Sequence, residues 1–356
     1  MVSLRLPFIV SVGVAASMLM LAAGCGKASH DAGKEPAPEA KKEPVELVFY
    51  AVSVLGSDQK KNFDQYTRFV QQKYPYISLK FVDAAGDASI DKMVASKGQV
   101  DIVFGSIKAL VTAYNFGLTG DMSGLIQSDR FDLTRIENAY LDYVRNWGDG
   151  KLSLLPVYDL ALALYYNKDL FDKFGAPYPK NGMTWEQIGA LSKSLTRDEG
   201  GVKYRGIALG FGPNFQGRSQ ASLGYIDPAT KKATVLNERW SNYLNTFIPF
   251  FTLPGYGPTR ENMAGGAQQK LFLDGTAAMY ADNSTFGGIG ALSQQRTFAW
   301  DVVSLPELGG MKGIGAQPYP VYLGVSSTSK HREDAFKAIS ALLSDEVQTE
   351  RTASYS

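Results

Sequence analysis

The hydrophobic pattern changes character along the chain. From Leu6 to Gly24 no residue is charged, and Phe8, Ile9, Val10, Met18, Leu19, Met20 and Leu21 make the stretch apolar behind a single basic residue, Arg5. Polarity then inverts. Residues 27–44 are dominated by Lys, Glu, Ala and Pro, as in Lys34-Glu35-Pro36-Ala37-Pro38-Glu39. Such a segment lacks the apolar surface to order itself, and its prolines stiffen it into a spacer. Val45-Glu46-Leu47-Val48-Phe49-Tyr50 is dense in β-branched and aromatic residues and predicts a strand. Phe63, Tyr66, Phe69 and Val70 recur at helical spacing within Gln59–Tyr74, and Pro75 ends that helix. A strand over Ile77–Val82, a helix near Ser89–Lys97 and a buried strand Val100-Asp101-Ile102-Val103-Phe104 follow. Strands alternating with helices predict a parallel sheet in an α/β lobe.

The middle of the chain is the most specific block. Gly150-Lys151-Leu152-Ser153-Leu154-Leu155-Pro156-Val157-Tyr158-Asp159 and Leu162-Ala163-Leu164-Tyr165-Tyr166-Asn167-Lys168-Asp169-Leu170-Phe171 read as a short strand, a proline turn, a second apolar strand and a helix. Met183-Thr184-Trp185-Glu186-Gln187 opens another helix, with Thr184 as N-cap and Gln187 three residues on, as in a capping box. In open α/β sheets the ligand crevice lies at the carboxyl ends of the strands. That makes Tyr50–Ser53 and Gly105–Ser106 either one edge of a cleft or plain strand-end turns.

Composition narrows the class. Hydrophobic content of 45% and charged content of 20% are globular values. A formal net charge of +1 argues against nucleic acid as a partner. The single cysteine, Cys25, closes the first apolar stretch. A short apolar core behind a basic start and before small residues is the pattern of a signal peptide, and Leu21-Ala22-Ala23-Gly24-Cys25 resembles a bacterial lipobox with its leucine one place early. The resemblance implies residues 1–24 as a lipoprotein signal peptide, a diacylglyceryl thioether on Cys25, and an extracytoplasmic protein anchored to the outer face of the cell membrane. The alternative is an ordinary signal peptide with a chance cysteine. The exported body then has no disulfides and rests on its core alone.

The series Leu155-Pro156, Leu164-Tyr165-Tyr166-Asn167-Lys168-Asp169-Leu170-Phe171-Asp172-Lys173-Phe174-Gly175 and Thr184-Trp185-Glu186 resembles the extracellular solute-binding proteins of bacterial ABC importers, within the cluster of maltose- and oligosaccharide-binding proteins. Later blocks agree in order: Leu271–Tyr280, Phe298–Pro306, Leu323–Lys330 with the helix at Glu333–Leu343, and Ser344–Gln348. The resemblance covers the chain from residue 45. It implies an α/β, two-lobed periplasmic-binding-protein-like fold of the class II type, with the ligand cleft between lobes. By that analogy, residues 45–157 with 307–340 form the first lobe and 158–306 with 341–356 the second. Crossovers are expected near Val157–Ala161, Val303–Leu308 and Ala338–Ser344. The family usually continues beyond the helix near Ser344, whereas this sequence stops at Ser356; either it is a piece of a longer chain or the last helices are absent. A second lobe short of them would expose apolar surface and bind ligand poorly.

The resemblance also implies a function: a monomeric receptor that closes by hinge motion on a small solute, a mono- or oligosaccharide foremost, and delivers it to the permease of an ABC importer. In sugar-binding relatives, rings stack on the pyranose face while Asp, Asn and Arg meet hydroxyls. The candidate ligand contacts are Tyr50, Ser53 and Ser106 at the strand ends, Tyr158 and Asp159 at the first crossover, Phe215 and Arg218 in a loop, Tyr256 after a Pro-Gly turn, Asp282, Asn283 and Thr285 after the Met279 strand, and Tyr319 and Tyr322 in the return to the first lobe. Thr285 stands where many relatives carry a stacking tryptophan, which points away from a standard long maltodextrin site. Trp185, Trp240 and Trp300 read as core and Trp147 as a possible stacking ring. Of two histidines, His30 lies in the spacer and His331 opens a late helix, so neither metal-ligand spacing nor a Ser-His-Asp site is present. No cofactor or metal is expected. Two alternatives stay open. A secreted carbohydrate-active enzyme would form product, and a ligand-sensing lipoprotein would bind without affecting uptake.

Overall fold

The computed structural model describes residues 42–52, 59–209, 215, 219–254, 259–262, 265–283, 292 and 297–353. In chain order these form β1 (Val45–Ala51), α1 (Gln59–Lys73), β2 (Ile77–Asp83), α2 (Ile90–Ala95), β3 (Ile102–Ser106), α3 (Ile107–Asn115), α4 (Ser123–Ser128), α5 (Asn138–Trp147) and β4 (Leu155–Asp159). Then come β5 (Leu162–Asn167), α6 (Lys168–Phe174), α7 (Trp185–Leu195), β6 (Arg197–Glu199), β7 (Val202–Tyr204), β8 (Ala208–Leu209), α8 (Glu238–Phe251), α9 (Gly265–Leu273), β9 (Met279–Asn283) and β10 (Trp300–Ser304). The chain closes with β11 (Pro320–Val325), α10 (Arg332–Leu342) and α11 (Asp345–Ala353).

Among the described residues two main sheets result. The first has the order β2-β1-β3-β11-β4, with β1, β2 and β3 parallel and β11 running against both its neighbours. The apolar runs read from the sequence are its strands, and helices cover both faces, so β1 and β11 are buried over most of their length. The expected strand at Val100 starts two residues later because Asp101 turns inward. Its buried carboxylate accepts the Val48 N–H (2.8 Å), the Gln99 amide (2.7 Å) and the Ser329 hydroxyl (2.6 Å). A buried charge persists only with such partners.

The second sheet has the order β10-β5-β9-β8. Its residues alternate between two cores with the period of a strand. Leu164, Tyr166, Met279 and Ala281 face Trp185, Phe247 and Phe250 from α7 and α8; Tyr165 and Tyr280 face Phe272 from α9. The Thr184 hydroxyl and the Gln187 side chain form the expected reciprocal capping box. Trp185 packs edge-on against Phe247 at 4.9 Å and Phe215 at 5.5 Å, contacts worth about 0.5–1.5 kcal/mol each beyond area. Trp240 is also core, whereas Trp300 is only half-buried on the outer strand β10, where it meets Tyr165 at 6.1 Å.

Two segments differ from expectation. Residues 305–316 stay with the second core instead of returning near Leu308: Leu305, Leu308, Met311 and Ala316 pack there. Buried Gln220 clamps them, its amide N–H groups donating to the Pro306 and Ile314 carbonyls (3.0 and 2.9 Å) while its oxygen accepts the Trp185 indole N–H (2.9 Å). The tail expected in the second lobe packs on the first core. Ala341, Leu342, Leu343 and Val347 are buried there, and Arg68–Glu350 and Arg135–Asp345 ion pairs tie α11 down. Among the described residues no helix is long and apolar enough to cross a membrane.

Candidate functional site

The chain passes from the first sheet to the second through Leu160 and Ala161 alone, between β4 and β5. Three residues of chain span at most about 11 Å, so Leu162 begins β5 within that distance of Asp159. Asn283, at the end of β9, pairs directly with Leu162, and Asp282 with Ala163. Antiparallel partners lie about 5 Å apart. The carboxyl end of β4 and the carboxyl end of β9 therefore meet at the crossing.

On the first sheet the crossing gathers Ser106, Tyr158, Asp159 and Tyr319 from three strand ends. The Tyr319 N–H donates to Asp159 Oδ1 (2.6 Å) and its phenol donates to Ser106 Oγ (3.2 Å). Tyr140, in the first turn of α5, feels the same carboxylate; burial, then the Asp159 charge, push its phenol pKa up. Tyr140 escaped the sequence reading because it sits in no motif. The only signal was a polar-ended aromatic in the helix preceding the crossing strand. The strand end itself is irregular. Val321 pairs with Tyr158 but Tyr322 pairs with Pro156, leaving Val157 as a bulged residue, a device common beside functional sites. The Arg351 guanidinium of α11 lies 4.8 Å from the Tyr158 ring centre and 4.5 Å from that of Tyr66.

On the second sheet Asp282 is held in the same style. Its carboxylate accepts the Tyr280 phenol (2.7 Å), the Asn283 N–H (2.7 Å) and the Asn283 side-chain amide (3.1 Å). The Tyr165 phenol donates to the Asn283 carbonyl (3.2 Å). Burial, reinforced by Asp282, drives the Tyr280 pKa up, so this phenol stays a donor. Each sheet thus brings one carboxylate to the crossing, each oriented by a backbone N–H, and Asp282 by a tyrosine hydroxyl as well. A carboxylate has about four acceptor positions and suits a ligand rich in hydroxyl donors.

Three candidates take other places. Tyr50 is fully buried, its hydroxyl donating to the Ala88 carbonyl (2.6 Å), and burial with Asp91 and Asp83 pushes its pKa up to about 12. Tyr322 is equally buried and donates to the Tyr140 carbonyl (3.3 Å). Both read as strand-end contacts in sequence, but the helices covering the sheet enclose them as framework. The Phe215 ring lies in the second core, and its carbonyl accepts the Tyr243 phenol (2.7 Å). Ser53, Arg218, Tyr256 and Thr285 lie outside the described residues, as do Cys25 and the Trp147 side chain. Among the described residues no group of three or more His, Cys, Asp or Glu could hold a metal ion.

Comparison with known proteins gives one family and many structures of one shape. Residues 56–349 match the family of bacterial extracellular solute-binding proteins. An ABC substrate-binding protein of Listeria monocytogenes, solved in complex with cycloalternan, superposes with a TM-score of 0.71 at 20% identity, over 88% of this chain and 79% of that one. The cyclic alpha-maltosyl-1,6-maltose binding protein of Arthrobacter globiformis gives 0.66 at 20% identity, over 88% and 78%. Maltose-bound MalE3 of T. maritima gives 0.65 at 16%, over 87% and 80%.

Proposed function

Because this chain belongs to the bacterial extracellular solute-binding proteins, we propose that it is the extracytoplasmic receptor of an ABC importer, that its solute is a carbohydrate, and that the solute sits at the crossing between the two sheets. The single observation carrying the carbohydrate reading is the pair of oriented carboxylates, Asp159 and Asp282, one from each side. Tyr140, Tyr158, Tyr319, Ser106 and Asn283 surround them as donors, acceptors and ring faces. Structures of similar shape were solved with cycloalternan and with maltose, which supports the same class here.

In this reading the first lobe comprises residues 45–159 and 320–353 and the second 162–316. A solute touching both lobes binds the closed arrangement better and shifts the population towards it, and the permease reads that closure. The Cys25 lipid keeps the receptor at the membrane face; two acyl chains suffice for stable anchoring. The receptor acts as a monomer and returns its solute unchanged.

The test is a calorimetric and thermal-shift screen of maltose, mannotriose, D-mannitol and cyclic glucans, with chromatography of the recovered solute. Saturable binding of a sugar without product is expected. A product would establish an enzyme instead, and binding confined to amino acids or other non-sugars would overturn the carbohydrate assignment. For the anchor, Cys25→Ser is expected to release the protein from the membrane fraction; unchanged retention would refute lipidation.

A further inference from the structure

The strand that feeds the crossing is poorly secured by its own ladder. Among the described residues β4 is the edge strand of the first sheet and pairs only with β11. Pro156 supplies no N–H, and the bulge at Val157 interrupts the register one residue before Tyr158. Beyond the bulge the Tyr158–Asp159 end pairs again with Val321 and Pro320, and side chains reinforce it. Asp159 takes the Tyr319 N–H, and Tyr158 takes the buried guanidinium of Arg351 on its ring. The same guanidinium lies over Tyr66 of α1. The neighbouring Glu350 accepts from Gln65 and Arg68 of the same helix. Arginine stays charged at any working pH, and a cation stacked on rings away from water is held more strongly than one on the surface.

From this arrangement we infer that Arg351 is a positioning residue for the crossing: sandwiched between Tyr158 and Tyr66, it sets the direction in which the bulged end of β4 enters Leu160–Ala161, and with it the resting disposition of the two sheets, without touching the solute. The inference rests on the receptor reading only in the value it gives that disposition. It is tested with no solute present, so its failure and that of the receptor reading are separate results.

The experiment uses the full chain with Cys25→Ser and spin labels at Gln127→Cys on α4 and Lys193→Cys on α7, both exposed. Electron–electron double resonance reads the spread of distances between the two bodies, and hydrogen exchange reads the amides of residues 157–162. Arg351→Ala is expected to widen the distance distribution about twofold and to speed exchange there about tenfold, the loss of one desolvated cation–ring contact. Arg351→Lys keeps a cation over the rings and is expected to restore most of both. Val347→Ala, buried on the same helix, lowers the melting temperature as a packing control and is expected to leave the distribution unchanged. An unchanged distribution in Arg351→Ala overturns the inference. So does equal broadening in Val347→Ala, which would make the effect one of helix packing.

Discussion

Removing the Asp159 carboxylate tests the proposed site most directly. In Asp159→Ala the Tyr319 N–H, now donating over 2.6 Å, loses its acceptor. Each orphaned donor costs about 1–3 kcal/mol when fully buried. Here the residues are half-buried and water repairs part of the loss, so about 1 kcal/mol of stability should go. The solute loses a hydroxyl-to-carboxylate bond worth about 1.5–3 kcal/mol. At 1.4 kcal/mol per decade, Kd should rise about 10- to 150-fold. Asp159→Asn separates the two effects. Its amide oxygen still accepts the Tyr319 N–H, so stability should return to within about 0.5 kcal/mol of the parent. A neutral acceptor is roughly half as strong as a charged one, and Kd should still rise about 5- to 10-fold. Urea unfolding and isothermal calorimetry with the sugar found in the screen measure the two quantities. If Asp159→Ala and Asp159→Asn both bind within about twofold of the parent, the carboxylate does not meet the solute and the site lies elsewhere.

Three further outcomes follow from the packing. In Gly206→Ala the new Cβ would stand 2.0 Å from the Ser192 carbonyl oxygen and 2.3 Å from its Cα. Backbone cannot yield as a flexible side chain does, so a loss of about 3 kcal/mol is expected in urea titration; a loss below about 1 kcal/mol would refute the close approach. Gln220→Ala strands the Trp185 indole N–H and the Pro306 and Ile314 carbonyls, and about 3 kcal/mol of destabilisation is expected, with faster exchange in residues 305–316 as the specific sign. Finally, the Tyr50 pKa is raised to about 12, so its stabilising contribution is whole below the unfolded value near 10 and is lost as pH climbs towards 12. Between those limits the unfolded chain gives up a proton that the folded chain keeps, and stability falls. Tyr50→Phe should flatten that part of the alkaline unfolding profile, and an unaltered slope would count against the buried phenol.

The sequence was most readable where one local rule decides. The run Val45–Tyr50 could bury itself only as a strand, and Thr184 with Gln187 could satisfy the start of a helix only in one way. It was least readable where the choice lies between two apolar surroundings. Leu305 and Leu308 would suit either core. What assigns them is Gln220, more than eighty residues earlier, whose amide has no signature in a pattern of apolar and polar positions. Val347 is the same case at the other end of the chain. The candidate site suffers from a related ambiguity. A tyrosine at a strand end serves equally as ligand contact or as filler, and only the surrounding helices separate Tyr319, half-exposed at the crossing, from Tyr50 and Tyr322 inside. Tyr140 was hidden for the opposite reason, since its partner Asp159 comes from another element.

Among the described residues two passes join the sheets; they run side by side and are laced together, the Leu160 N–H donating to the Tyr319 carbonyl (3.4 Å) and the Tyr319 N–H to Asp159. Paired in this way, they form a narrow strip instead of two independent tethers. A strip resists sliding along its length and splaying across its width, but bends readily about its own axis. Any swing of one body against the other is thereby confined to nearly one degree of freedom, like a leaf on adjacent knuckles. Each closing swing would then bring the same pair of carboxylates back to the same facing positions, along the path that the laced strip allows.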